Sequence, residues 1–293
     1  MRILYIGSVE FSQRALEHLI SLRADIVGIC TTKSSKENSD FADLTVIASR
    51  SNIPCKQVDD INSDDALQWM RALAPDIIFC FGWSRLLGDN LLKLANMGVV
   101  GFHPTLLPAN RGRHPIIWAL ALGLKETGST FFFMDSGADS GDILSQKEVS
   151  IQDSDTARIL YDRICMVALD QIAEFLPALI SNNYQRITQD LSAANSWRKR
   201  SIRDGLIDWR MSATAIYNLV RALSAPYPGA LMSYQSKDIK VLEVEIIPGK
   251  IDGDEPGKVV GVKNGKPIIK CGTDSICLSS AFPVLDLNIG DYV

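Results

Sequence analysis

Short, continuous apolar runs separated by helical patterns occupy the first half of the chain, and this alternation limits the folds available to it. Strands are predicted at Arg2–Ile6, Asp25–Cys30, Asp76–Phe81, Gly98–His103 and Thr130–Met134. Most of these runs are apolar at every position, as expected of strands that are buried on both faces of a sheet. Strands alternating with helices predict a doubly wound, mostly parallel, Rossmann-like α/β sheet. No G-x-G-x-x-G follows the first strand, so a dinucleotide site is not expected.

The second half of the chain has a different character. A long helical pattern covers Thr156–Asn182, and the polar residues 183–204 that follow it are interpreted as a linker between domains at 1–185 and 205–293. Beyond a helix capped by Ser212, short strands alternate with turns. They predict a smaller, β-rich and barrel-like C-terminal domain. These strands are expected at Lys240–Ile247, Gly257–Val262, Pro267–Cys271 and Ser275–Leu278.

Charge and composition narrow the class of partner. The formal net charge is -4, whereas proteins that bind polyanions usually present a basic face, so a nucleic-acid partner is not expected. The apolar runs are far shorter than the roughly 20 residues that span a bilayer, and we expect no membrane partner and a cytoplasmic location. The six cysteines show no paired spacing and are interpreted as buried thiols, with no metal site.

Two loops contain the residues that could carry chemistry. His103 closes the predicted strand Gly98–His103, and ligands of open α/β sheets bind outside the carboxyl ends of strands. A histidine there is well placed for acid–base work, although a hydrogen bond to its own loop would also explain it. The second loop, Asp135–Asp142, is rich in Asp, Ser and Gly and follows the next predicted strand.

Taken alone, the loop Asp135–Asp142 is most simply a solvated turn. A metal site is a weaker alternative, because the Asp spacing matches no metal-binding loop. A nucleophile elbow is excluded, because Asp139 stands where that motif carries Ser. If both loops follow parallel strands, however, His103 and an Asp meet at one edge of the sheet. The carboxylate would favour the charged imidazole, and the pair could take and return protons.

The sequence resembles the folate-dependent formyltransferase family. The loop that begins at His103 and the loop Asp135–Asp142 match the family in both order and spacing, and the resemblance covers nearly the whole chain. The matching stretches are Ile6–Phe11, Phe102–Pro108, Arg111-Gly112, Glu126–Gly128, Met134–Gly141, Ile207–Trp209, Arg221-Ala222 and Pro226–Gly229. The resemblance implies 10-formyltetrahydrofolate as the formyl donor.

The resemblance also implies roles for individual residues. His103 would be the general acid–base group at the formyl carbonyl, oriented by Asp139. The folate would be held by the loop Arg85-Leu86-Leu87, mainly through its backbone, together with Arg113 and the stretch Asp135, Ser136, Gly137 and Ala138.

One position departs from the family pattern. The family usually carries Asn two residues before the histidine, where it stabilises the developing oxyanion, but this chain has Gly101. Loss of one such donor costs about 10²–10³ in turnover. Asn110 is the candidate catalytic substitute, and His114 lies in the same loop. A folate-binding protein or hydrolase with altered catalysis is therefore an alternative.

Within the family, members that act on nucleotide-linked amino sugars look closer than methionyl-tRNA formyltransferases. The loop Lys33–Asp43 carries two positive and three negative charges, which makes a poor grip on tRNA phosphates. Arg111 and His114 could donate to a sugar-linked diphosphate, and Trp118 is the third substrate-binding candidate. The resemblance implies a 4-amino-deoxysugar as the acceptor, for lipopolysaccharide or other surface glycan synthesis, and a homodimeric enzyme.

Overall fold

The computed structural model describes residues 1–34, 39–249 and 254–293. Strands and helices alternate through its first half, as the apolar runs predict. The strands are β1 (Arg2–Ile6), β2 (Asp25–Thr31), β3 (Cys55–Gln57), β4 (Ile77–Cys80), β5 (Val99–His103), β6 (Arg111–Gly112), β7 (Glu126–Phe133), β8 (Ile143–Ser150), β9 (Ser196–Trp197), β10 (Ala230–Tyr234), β11 (Lys237–Ile247), β12 (Val259–Lys263), β13 (Lys266–Lys270) and β14 (Ser275–Phe282). The helices are α1 (Glu10–Ser21), α2 (Thr45–Arg50), α3 (Asp64–Ala72), α4 (Asp89–Leu92), α5 (Pro115–Ala121), α6 (Ala157–Ile180) and α7 (Ala213–Ala222).

The larger sheet has the strand order β3-β2-β1-β4-β5-β7-β8. Its first five strands pair in parallel. The chain builds outward from β1 to β3 and then resumes with β4 on the other side of β1, so the order reverses between β1 and β4. In sheets of this kind, ligands bind outside the carboxyl ends of the strands at such a reversal.

One predicted strand is present, but the parallel direction assumed for it is wrong, and this matters for the site. The strand predicted at Thr130–Met134 spans Glu126–Phe133 and runs antiparallel to β5, with His103 opposite Thr130. The two functional loops therefore do not both follow parallel strands. An apolar run shows that a strand is buried but not which way it points, so the sequence pattern could not reveal this reversal.

The parallel strands are buried on both faces, because alternate side chains pack against other elements on opposite sides of the sheet. On one face, Leu4, Ile6 and Ile78 pack with residues of α3. On the other face, aromatic rings of β1, β4, β7 and α6 contact one another, among them Tyr5 and Phe79. This explains why the strands read as continuous apolar runs rather than alternating ones.

The described residues divide into two compact units. Unit 1 comprises Met1–Gly112, Thr127–Val149 and Asp162–Trp197, and unit 2 comprises Arg113–Glu126, Ser150–Tyr161 and Arg198–Val293. The polar stretch interpreted as a linker is more than a connection, because β9 lies within it and pairs with β6 in unit 1.

Unit 2 contains the β-rich C-terminal part. Its antiparallel sheet has the strand order β10-β11-β14-β13-β12, and β10 was not predicted from the sequence. Helix α7 packs against β11 and β14 and also against α5. The cap predicted at Ser212 is confirmed, because its Oγ accepts from Ala215 N at 3.1 Å. In unit 1, Ser63 caps α3 in the same way, with its Oγ accepting from Ala66 N at 3.3 Å.

Three further observations bear on the sequence predictions. Residues 35–38, in the loop whose mixed charge argues against tRNA, lie outside the described residues. Among the residues that are described, no helix combines the length and apolar character needed to cross a bilayer, and no cluster of three or more potential ligands could hold a metal ion. The cysteines are free thiols, and burial raises the pKa of Cys30 and Cys80 to about 12.

Candidate functional site

His103 is the last residue of β5, and it is buried, with only 5% of the residue exposed. The ring lies between two groups of unit 1. Its Nε2 is 2.9 Å from the carbonyl oxygen of Asn110, and its Nδ1 is 3.7 Å from Oδ2 of Asp139. The carboxylate contact is slightly longer than a hydrogen bond, as is common for catalytic pairs before substrate binds.

The carbonyl contact assigns the proton of the neutral imidazole. A carbonyl oxygen can only accept, so Nε2 donates to Asn110 and carries the proton in this arrangement. Nδ1 is then the nitrogen able to accept a proton, and the Asp139 carboxylate faces it. A proton arriving at Nδ1 meets a negative charge, which stabilises the resulting imidazolium.

Asp139 is held in place by its own loop and by β6. It adopts a left-handed backbone conformation with φ 54°, and its Oδ2 accepts from Gly112 N at 2.8 Å. Asp135 organises the start of the loop, because its Oδ1 accepts from Gly137 N at 2.9 Å and from Ser140 Oγ at 2.7 Å. The loop expected to contact folate is thus internally bonded, and its residues Asp135, Ser136, Gly137 and Ala138 are exposed.

Gly101 lies two residues before His103 on the same face of β5. A Cβ atom there would approach Met134 Cγ to 2.8 Å, Met134 Sδ to 3.0 Å and Phe132 Cε1 to 3.2 Å. The volume in which an asparagine side chain would start is therefore taken by Met134.

Asn110, the candidate substitute, is fixed by a reciprocal pair of hydrogen bonds. Its N donates to Asn195 Oδ1 at 2.7 Å, and its Oδ1 accepts from Asn195 Nδ2 at 3.0 Å. Its left-handed backbone, with φ 63°, turns its carbonyl toward His103. The observed contact with the histidine is made by the main chain of Asn110, and a catalytic role for its side chain stays a prediction.

Arg111, expected to bind substrate, is 9% exposed, and its Nη2 donates to Gln189 Oε1 at 2.6 Å. Its Nε is buried without a hydrogen-bond partner. The guanidinium is therefore packed inside unit 1 in this structure. This favours a structural role over contact with a solvated diphosphate.

The loop Arg85-Leu86-Leu87, predicted to hold the folate, follows β4, beside the reversal of strand order. The side chain of Asn62 makes two hydrogen bonds to the backbone of this loop: its Nδ2 donates to the carbonyl of Leu86 at 3.0 Å, and its Oδ1 accepts from Gly88 N at 2.7 Å. Arg85 donates to the carbonyl of Asp59. Leu86 is 79% exposed while Leu87 is buried, so the loop presents one apolar side chain and a fixed backbone.

The remaining substrate and cofactor candidates, Arg113, His114 and Trp118, belong to unit 2. His114 precedes α5 with φ 56°, and its Nδ1 accepts from Arg200 N at 3.3 Å. Trp118 Nε1 donates to the carbonyl of Arg198 at 3.1 Å. The guanidinium carbons of Arg198 and Arg200 lie 5.4 and 4.6 Å from the centre of the Trp118 ring, and burial lowers the pKa of Arg200.

Sequence reasoning missed Gln189, Asn195 and Asn62, each of which hydrogen-bonds to a predicted site loop. Gln189 is buried, whereas Asn62 and Asn195 are exposed, and all three lie in polar stretches where a single sequence offers no signal for which amides make tertiary hydrogen bonds. Only their position after folding reveals what they contact.

Two family models match this chain. The family model described as formyl transferase matches residues 1–175, and the model described as formyl transferase, C-terminal domain, matches residues 200–283. An N-formyltransferase from Helicobacter canadensis, solved with folinic acid and dTDP-3-aminofucose, superposes with a TM-score of 0.72 at 18% identity over 94% of this chain and 98% of its own.

Two other solved structures are similar. WlaRD, a sugar 3N-formyl transferase solved with dTDP and 5-N-formyl-THF, gives a TM-score of 0.71 at 18% identity, covering 97% of this chain and 99% of its own. The methionyl-tRNA formyltransferase from Clostridium thermocellum gives 0.63 at 18% identity, covering 92% and 97%. At this identity these likenesses establish the shared fold.

Proposed function

The chain belongs to the formyl transferase family, and from that premise we propose that it transfers a formyl group from 10-formyltetrahydrofolate to the amine of a nucleotide-linked amino sugar. The observation that carries this proposal is the pairing of His103 with Asp139 at the carboxyl end of β5. The formyl-folate supplies the carbon that is transferred. The chain's own residues must deliver and remove protons and hold the reactants.

Proton transfer is the task that this site supports best. Attack of a neutral amine on the formyl carbon forms a C–N bond, and the bond from that carbon to the folate nitrogen breaks. The amine loses a proton and the leaving nitrogen gains one, so a single group can accept and then return it. Nδ1 of His103 is the available acceptor, and Asp139 stabilises the imidazolium between the two transfers.

The negative charge on the formyl oxygen also needs hydrogen-bond donors. With Gly101 in place of the family asparagine, protonated His103 helped by Asn110 or a backbone N–H after Pro104 fills this role. Comparing Asn110→Ala with Asn195→Ala separates a direct role from an indirect one. If the Asn110 amide contacts the formyl oxygen, Asn110→Ala slows turnover about tenfold or more beyond Asn195→Ala.

A nucleotide-linked sugar is preferred over tRNA as the acceptor. The chain carries a net charge of -4, and Lys33–Asp43 has more acidic than basic side chains, which disfavours a polyanion. Two of the similar structures contain thymidine nucleotides, one of them a 3-amino sugar. The resemblance favours a 4-amino-deoxysugar used in surface glycan synthesis, and an assay must decide the position of the amine.

The experiment is an assay of tetrahydrofolate release from 10-formyltetrahydrofolate. Acceptors are dTDP-linked 3-amino and 4-amino deoxysugars, their UDP counterparts, methionyl-tRNA, and water alone. Release that depends on an amino-sugar nucleotide, with the formyl amide found in the product by mass spectrometry, supports the proposal. Release without any acceptor would identify a hydrolase, and formylation of methionyl-tRNA alone would identify the other family activity.

The matched variants are His103→Ala and Asp139→Asn. We expect His103→Ala to abolish turnover while folate affinity changes little, because His103 acts on protons rather than on binding. Asp139→Asn should lower turnover by about 10² or more, since the imidazolium loses its counter-charge. Turnover that survives His103→Ala would remove His103 from the reaction. The predicted homodimer is tested separately by sedimentation velocity.

A further inference from the structure

Residues 189–197 make hydrogen bonds to both groups that flank the His103 ring. We call them the bracing segment. Their polarity predicts a linker, yet the segment contains β9, which pairs with β6, and the carbonyl of Asn195 accepts from Arg111 N at 3.0 Å. The segment therefore forms part of unit 1 next to the histidine.

Gln189 braces the Asp139 side of the ring. It is 5% exposed, and its Nε2 donates to the carbonyls of Asp139 at 2.9 Å and Gly141 at 2.7 Å. Its Oε1 accepts from Arg111 Nη2 at 2.6 Å. The buried amide of Gln189 thus links the Asp139 loop to the guanidinium of Arg111 in β6. The same strand also contains Gly112, whose N donates to the Asp139 carboxylate. Buried polar groups left without these partners would be destabilising, so the arrangement is strongly specified.

Asn195 braces the other side of the ring. Its amide forms the reciprocal pair with Asn110, whose carbonyl accepts from His103 Nε2. The left-handed conformation of Asn110 is one that most residues avoid, and the pair with Asn195 helps to hold it. Without this pair, the carbonyl that fixes the ring and its tautomer is free to move.

We propose that Gln189 and Asn195 are positioning residues that set the orientation and tautomer of His103 by holding its two partners. The proposal rests on the proposed formyl transfer, because it assigns these residues a part in that reaction. Neither residue contacts the ring itself. Their effect passes through Asp139 and Asn110, and displacement of a catalytic group by about 1 Å can cost about 10²-fold in rate.

The test is Gln189→Met, which keeps side-chain length but removes both donors and the acceptor. We expect kcat to fall by about tenfold or more while KM for folate and acceptor stays within about twofold, because orientation is lost and not binding. The matched control is Gln171→Met. Gln171 is fully buried in the same unit and donates to the carbonyl of Ser129 and to Ser145 Oγ, away from the partners of His103.

Two further variants separate positioning from general stability. Gln189→Glu at about pH 8 keeps an acceptor for Arg111 but presents a carboxylate to two carbonyl oxygens. The kcat of Gln189→Glu should be as low as that of Gln189→Met, even if its melting temperature is closer to that of wild type. Asn195→Ala should also lower kcat without raising KM. Equal losses of kcat in Gln189→Met and Gln171→Met would overturn the proposal, since only a structural role would then remain.

A readout independent of activity separates this proposal from the proposed function. The Gly112 amide donates to Asp139 Oδ2, so its hydrogen exchange should quicken in Gln189→Met and stay unchanged in Gln171→Met. If the wild-type chain releases no tetrahydrofolate with any acceptor, the proposed function fails. The exchange of Gly112 then still decides whether Gln189 holds the Asp139 loop, and unchanged exchange would refute the brace.

Discussion

Gly101 faces Met134 and Phe132 at the position where the family pattern has asparagine. The consequence is steric as well as chemical. An asparagine introduced there must displace Met134, and overpacking of this kind typically costs about 1–3 kcal/mol. The absence of asparagine at position 101 is therefore matched by the packing of Met134 and Phe132 against Gly101.

We predict that Gly101→Asn lowers the melting temperature and that Gly101→Asn with Met134→Ala restores part of it, because the second change opens the space. If His103 and its loop supply the oxyanion donors, as proposed, turnover of the double variant should differ from wild type by less than about tenfold. A rise of about 10² in kcat, measured by tetrahydrofolate release, would instead show that wild type lacks an oxyanion donor. Met134→Ala alone is the control.

Asp204 gives a residue-scale prediction in unit 2. Its carboxylate accepts from Arg198 and from Ser201 N at 2.6 Å, and the pair with Arg198 is the main reason that its pKa lies below the usual value. A carboxyl whose pKa is lowered by folding adds stability above its unfolded value of about 3.9, and that stability is lost as pH falls through the folded pKa.

The difference in urea midpoint between wild type and Asp204→Asn should therefore be constant from about pH 8 to 5 and shrink below about pH 4. In an Arg198→Met background the difference should be smaller at every pH. A difference that grows on acidification would contradict the assigned sign.

At the scale of elements, the pairing of β6 with β9 requires glycine at position 112, opposite Trp197. A Cβ on Gly112 would lie 2.3 Å from the carbonyl oxygen of Trp197, and its φ is 99°. Backbone cannot give way as a flexible side chain can. Gly265 is a useful comparison, because its φ is 74° but nothing lies within 4 Å of a Cβ there.

Gly112→Ala should therefore lower stability by more than Gly265→Ala, whose left-handed strain alone costs about 1–2 kcal/mol. Because Gly112 N donates to Asp139, Gly112→Ala should also lower kcat, while Gly265→Ala should leave it within about twofold. Urea unfolding and the release assay measure the two effects. Equal losses of stability in Gly112→Ala and Gly265→Ala would mean that β9 can shift to accommodate the added methyl group without destabilising the fold.

Sequence patterns specify elements in this chain better than they specify how elements meet. Continuous apolar runs located β1, β2, β4 and β5, and Ser212 identified the start of α7. The direction of β7 was missed because burial is the same either way. The structure places His103 Nδ1 3.7 Å from Asp139 Oδ2, although the parallel-strand reasoning offered for their meeting was wrong. Hydrogen bonds from β9 and Gln189 could not be predicted, since they join residues far apart in sequence.

At the scale of the whole molecule, net charge makes a prediction about partners. A chain with a net charge of -4 should not be retained on heparin at about 0.15 M salt, because few counterions are released. Methionyl-tRNA should likewise fail to shift in a gel at that salt. Retention that weakens steeply as salt rises would indicate a basic face and revive the tRNA alternative.

Unit 2 is assembled from stretches of chain that lie far apart in sequence, and α5 packs against α7. The buried side chains of α5, Ile116, Ile117, Ala119 and Leu120, leave the ribosome long before α7 has been translated. During most of synthesis they have no native partner, and exposed apolar surface of this kind favours aggregation or capture by chaperones. We therefore expect that a premature stop codon ahead of α7 yields a chain that the cell removes, rather than a shortened enzyme that retains part of its activity.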